Sequence, residues 1–139
     1  MRYCCGFAFD SQGRWVWLIE KKKPTWQRGM LNGIGGKIEN GEMALDAMQR
    51  EFREETGTDI IDWDEFLILS GRDWTVFFFK YFRHETKGPF DQLCKATTEE
   101  SPVLVDTCNL PSNVIPNLHW IIPMALDRSI ILPVSVTTE

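Results

Sequence analysis

The stretch GGKIENGEMALDAMQREFREETG, residues 35–57, decides how the rest of the chain is read. From Met43 to Thr56 its pattern is helical, and Gly57 stands where such a helix stops. On a helix turning 100° per residue, with Glu51 as the zero direction, Glu55 falls at about +40° and Glu54 at about −60°. Three carboxylates therefore share one face, with Arg50 at its edge, at about −100°. Leu45, Met48 and Phe52 cluster at about +60° to +120°, a separate apolar stripe suited to packing on a sheet.

Three carboxylates on one face repel one another unless a cation sits among them. Mg²⁺ takes carboxylate oxygens together with water and substrate phosphates, and Mn²⁺ is its nearest substitute. Taken alone, the same face also reads as a solvated acidic surface with Arg50 in ordinary helix pairing. Just ahead of the helix, the run Asn32-Gly33-Ile34-Gly35-Gly36-Lys37 is dense in glycine, so the backbone there bends or approaches something closely.

Outward from this segment, residues 3–9 and 15–20 read as strands joined across a turn at 10–13, and 21–29 reads as a loop around Pro24. Residues 66–69 and 74–83 read as further strands, the second rich in aromatics. A polar loop over 85–101 precedes a short strand at 103–105, and 117–126 reads as a short helix despite Pro123. Residues 130–136 are apolar but interrupted by Pro133, and the pattern assigns them no element. Strands with helices between them give a mixed α/β domain.

At 139 residues the chain makes one domain over 1–139, and 43% hydrophobic against 25% charged residues is a globular balance. A net charge of −5 gives no electrostatic case for duplex nucleic acid or an anionic membrane. No apolar run reaches the ~20 residues of a membrane helix. Asp10 interrupts the N-terminus too early for a signal peptide, so the expected location is intracellular, in the cytoplasm. The four cysteines form no Cys-x-x-Cys pair and read as reduced thiols rather than a zinc site.

Gly36, five residues, Glu42, seven residues, then Arg50-Glu51-Phe52-Arg53-Glu54-Glu55-Thr56-Gly57 resembles the signature of the Nudix hydrolases. Seven fixed positions at ~7% background usage coincide by chance roughly once in 10⁸ start points. The family pattern closes on an aliphatic residue where this chain has Thr58. The resemblance implies an α/β/α sandwich with a mixed sheet and the metal helix on one side. It implies that Glu42 and Arg50 pair, that Glu51, Glu54, Glu55 and the Gly36 carbonyl hold the metal, and that the substrate is a nucleoside diphosphate linked to a further group. Water attacks phosphorus in such a reaction, and a carboxylate takes its proton. Glu54, or the loop acid Glu100 beside Glu99, is the candidate, although both loop acids also read as exposed surface.

The flanks are similar to the branch of the family that hydrolyses oxidised purine nucleoside triphosphates such as 8-oxo-dGTP, where Trp-Asn-Gly-Phe-Gly-Gly-Lys precedes the helix. That similarity assigns Asn32 to the base edge, Trp26 to stacking, and Lys37 to the substrate site. Leu110-Pro111 and Pro116-Asn117-Leu118-His119-Trp120 resemble a later segment of the same branch and add Asn117 and Trp120 to the substrate contacts. Asn117 is an amide where that branch has an acid. From the residues alone, His119 and Trp120 read as core packing, and Lys21–Lys23 as a solvated strand end. Another nucleoside diphosphate derivative (a dinucleoside polyphosphate, ADP-ribose or capped RNA) and a nucleotide-sensing module without catalysis stand as alternatives. The expected assembly is a monomer or homodimer.

Overall fold

The computed structural model describes residues 1–131 and 133–139. The elements run β1 (Arg2–Phe9), β2 (Trp15–Glu20), β3 (Leu31–Asn32), β4 (Ile34–Lys37), α1 (Ala44–Thr56), β5 (Asp64–Ser70), β6 (Thr75–Phe82), β7 (Ser101–Asp106), α2 (Leu118–Leu126) and β8 (Val134–Thr137). They form one mixed sheet in the order β3-β2-β1-β6-β5-β8, with β4 on β1 and β7 on β2. β1 runs parallel to β6 and β5 parallel to β8, while the other pairings are antiparallel.

β1 lies inside the sheet, and alternate side chains feed two cores. Cys5, Phe7 and Phe9 join Leu118, Ile121, Ile122 and Ala125 of α2 on one face. Cys4 and Ala8 join Ala47, Met48 and Phe52 of α1 on the other. The architecture is the α/β/α sandwich, one helix to each side of the sheet. Gly57 ends α1 in the left-handed region, at φ 76°, a conformation that costs glycine nothing. No described helix is long and apolar enough to cross a membrane.

The structure refines the pattern in several places. The glycine run, for which the pattern named no element, lies in two strands, β3 and β4, the second along β1 from Tyr3 to Gly6. Leu45 is 39% exposed in the first turn of α1, and Ala47 takes its place against the sheet. His119 and Trp120 are exposed on the outer side of α2, because Leu118, Ile121 and Ile122 face inward. The unassigned tail contributes β8 beside β5, while its Leu132 lies outside the described residues.

Candidate active site

Arg50 joins the loop before α1 to the helix itself. Its Nε and Nη2 donate to Glu42 Oε2 and Oε1 at 2.8 and 2.9 Å, and Nη2 also donates to the Lys37 carbonyl at 3.1 Å. Its Nη1 donates to Glu51 Oε1 at 2.9 Å. The Glu39 amide donates to Glu42 Oε1 at 3.0 Å, closing the loop on itself. With side chains only 19% and 16% exposed, this forked pair is a stronger tie than a loose surface ion pair.

The Arg50 fork outweighs burial and holds the Glu42 carboxyl at about 2, against its usual 4.5. The unfolded chain therefore takes up this proton first as pH falls. The stabilisation is complete above pH 4.5 and is lost as pH falls from 4.5 through about 2. Denaturant midpoints measured across that window should fall for the native chain, and Glu42→Gln should flatten the fall. An equal slope in both proteins would show that acid sensitivity arises elsewhere.

The three glutamates of the helix face occupy different environments. Glu51 is 15% exposed, and burial, outweighing its bond to Arg50, pushes its carboxyl up. Glu55 is more deeply set: burial, reinforced by the Glu51 charge, pushes it up to about 8. Its Oε2 is buried with no hydrogen-bond partner. Glu54 is 55% exposed, with one long contact, from Arg50 Nη1 at 3.4 Å. Among the described residues no three acidic, cysteine or histidine side chains meet at one point.

The donor set fits a hard divalent cation. Glu51 lies directly over bare backbone: a Cβ at Gly36 would sit 2.6 Å from Glu51 Cδ. Beside it is a buried carboxylate oxygen that nothing in the protein satisfies. Hard oxygen donors arranged around a glycine strand are what Mg²⁺ or Mn²⁺ takes.

A cavity of about 610 Å³ opens beside this face. Gly36, Lys37, Trp26, Asn32 and Asn117 line it, so four residues assigned from the sequence to substrate share one space. Trp120 does not line it and stands 41% exposed on α2. Asn32 is oriented by its surroundings. Its Oδ1 accepts from the Gly33 amide at 2.8 Å and from Cys5 Sγ at 3.9 Å, and its Nδ2 donates to Gln27 Oε1 at 3.4 Å. Asn117 Oδ1 is buried and unpartnered. Trp26 stands at the rim, 67% exposed.

The sequence pattern missed Gln27, and it missed the apolar wall of Leu69, Val76 and Phe78. Gln27 carried no signal beyond adjacency to Trp26. The wall comes from β5 and β6, and only the parallel pairing of β6 with β1 brings it to the cavity.

Glu100 is drawn into a strap rather than left free. Its Oε1 accepts from Lys21 Nζ at 3.2 Å, and its Oε2 accepts from the Lys22 and Lys23 amides at 2.6 and 3.3 Å. Burial opposes its charge, but the Lys22 amide and Lys21 together outweigh it, so the carboxyl lies below its usual range. Lys21 is consequently not a solvated strand end: it is 18% exposed and lines the cavity. Glu99 stays 65% exposed, 3.8 Å from Lys23.

This arrangement has known counterparts. The mutator MutT protein of Bacillus halodurans superposes with a TM-score of 0.72 at 24% identity, over 98% of this chain and 88% of that one. The MutT NUDIX hydrolase of Burkholderia pseudomallei gives 0.72 at 17% identity, over 88% of this chain and 95% of the other. At such identities the likeness is one of fold. The NUDIX domain profile, in contrast, matches the sequence itself over residues 2–116, from β1 to the threshold of α2, and takes in the whole glutamate helix and its glycine strand. The chain belongs to the NUDIX domain family.

Proposed function

We propose that the protein is a divalent-metal-dependent pyrophosphohydrolase of nucleoside triphosphates, releasing a monophosphate and pyrophosphate, with a modified purine such as 8-oxo-dGTP as its best substrate. The buried, unpartnered Oε2 of Glu55, beside Glu51 and Gly36 at one end of a nucleotide-sized cavity, carries this reading. Glu51, Glu54, Glu55 and the Gly36 carbonyl would hold Mg²⁺, with Mn²⁺ as its substitute. When bound, the ion neutralises charge that develops on the phosphate oxygens as water attacks phosphorus.

The chain's own residues do the rest. Arg50 fixes the rotamer of Glu51 through Nη1. Glu54 Oε1, which carries none of the helix's ion pairs, takes the proton of the attacking water. Lys21 and Lys37 bring positive charge to the triphosphate. Trp26 offers a face for the base, Asn32 Nδ2 a donor, and Asn117 Oδ1 an acceptor for its edge. The monomer or homodimer works on a free nucleotide in the cytoplasm, with no duplex nucleic acid or membrane involved.

The test is a panel of normal and 8-oxo nucleoside triphosphates, ADP-ribose and a diadenosine polyphosphate with Mg²⁺, following pyrophosphate and monophosphate release. Preferential turnover of an oxidised purine triphosphate is the expected result. Turnover confined to ADP-ribose or the dinucleotide would overturn the substrate assignment. Asn117→Leu should then cut kcat/KM for purine triphosphates about tenfold, the loss of one hydrogen bond to a buried edge, with pyrimidine triphosphates unaffected. An equal loss for both would show that Asn117 only shapes the cavity.

A further inference from the structure

Thr58, the residue that departs from the family pattern, has a role that an aliphatic side chain lacks. Its hydroxyl donates to the Leu93 carbonyl, and its amide donates to Thr56 Oγ1 at 3.2 Å. Thr56 Oγ1 in turn donates to the Phe52 carbonyl at 2.7 Å, and the Thr56 carbonyl accepts from the Lys95 amide at 3.0 Å. Thr97 Oγ1 donates to the Glu54 carbonyl. Residues 93–97 are thus laced to the last turn of α1 at three points. The aliphatic contact is supplied two residues on by Ile60, which is 3% exposed and packs in the same core as Phe52.

The laced segment leads directly into Glu100, whose own amide donates to Thr98 Oγ1 at 3.2 Å. Glu100 is the anchor on which the Lys22 and Lys23 amides and Lys21 Nζ converge. Those lysines begin the loop that carries Trp26 and Gln27 to the cavity. One continuous path therefore runs from the end of the metal helix, through Thr58 and Glu100, to the nucleotide-facing rim.

We propose that Thr58 is a positioning residue: by docking residues 93–100 on the end of α1, its hydroxyl sets Glu100, and through Glu100 it sets the Lys21–Trp26 rim that grips the nucleotide. The inference rests on the functional reading above for what the rim grips, but not for how the rim is held. It requires that loss of the hydroxyl loosen substrate binding without slowing the chemistry at Glu54.

Thr58→Val removes the hydroxyl at constant shape, and Thr58→Ser keeps it. Amide hydrogen exchange at Lys95 and Lys22, together with kcat and KM for a nucleoside triphosphate in Mg²⁺, reads out the result. In Thr58→Val both amides should exchange about fivefold faster, the ratio that loss of one ordinary hydrogen bond gives, and KM should rise by a similar factor at unchanged kcat. Thr58→Ser should match the native protein in every readout. Glu100→Ala should free the Lys22 amide while leaving Lys95 protected, because it cuts the path at its far end. Native protection of Lys22 in Thr58→Val, equal defects in Thr58→Val and Thr58→Ser, or a fall in kcat at constant KM would each overturn the proposal. If the native protein consumes no nucleotide, the functional reading fails, and the two exchange rates still decide this one.

Discussion

Glu54→Gln is expected to lower kcat by about 10²–10⁴-fold at saturating Mg²⁺, the range over which a positioned proton acceptor accelerates a reaction. The substitution keeps the shape of the side chain. It removes the charge, with it the capacity to take a proton from water, and much of the affinity for a hard cation. The native fold makes little use of that charge: Glu54 is 55% exposed, and the single contact of its carboxylate is with Arg50 at 3.4 Å. Surface ion pairs of this kind contribute about 0–1 kcal/mol, so the melting temperature should barely move. Glu42→Gln should behave in the opposite way. It breaks the fork on Arg50 and weakens the junction between loop and helix, while leaving the water-facing carboxylate in place. Activity in Glu54→Gln within a few-fold of native would show that neither the metal nor the proton depends on this residue.

The glutamate helix was legible because everything that defines it is local. The 3.6-residue period places Glu51, Glu54 and Glu55 on one face wherever the helix packs, and Gly57 marks its end by its own backbone preference. That Trp26, Asn32 and Asn117 share one cavity was legible only through resemblance, since nothing in their spacing brings residues so far apart in the chain together. What stayed hidden depends on partners distant in sequence. Tyr3, Val76 and Phe78 meet at the cavity because β1 pairs in parallel with β6, across roughly seventy residues of chain. Trp120 was misplaced because a helix's inward direction is set by the sheet, and here Ile121 and Ile122 claim it. Glu100 read as a free loop acid because its partners, the amides of Lys22 and Lys23, carry no side-chain signal at all.

The glycine run was read as a bend or a close approach, and at both Gly35 and Gly36 the structure shows close approach, to different partners. At Gly35 a Cβ would lie 2.0 Å from the Cys4 carbonyl oxygen and 2.9 Å from Cys5 Cα. Both atoms belong to the backbone of β1, the strand that feeds both cores, so neither can yield without parting β4 from the sheet. At Gly36 the three atoms nearest a Cβ would all belong to the carboxyl end of Glu51, at 2.6 to 2.8 Å, and a side-chain tip can swing aside. Gly35→Ala should therefore destabilise the protein by about 3 kcal/mol or more, the upper range for overpacking, and lower Tm by roughly 10 °C. Gly36→Ala should fold with nearly native Tm but displace the Glu51 carboxylate. Displacements near 1 Å in a positioned group cost about 10²-fold in rate. Thermal melts paired with kcat measurements would separate the two, one variant losing the fold and its neighbour losing the chemistry. If Gly36→Ala melted early and stayed active, the glycine would serve strand packing, and the Glu51 carboxylate would need no fixed seat on the backbone beneath it.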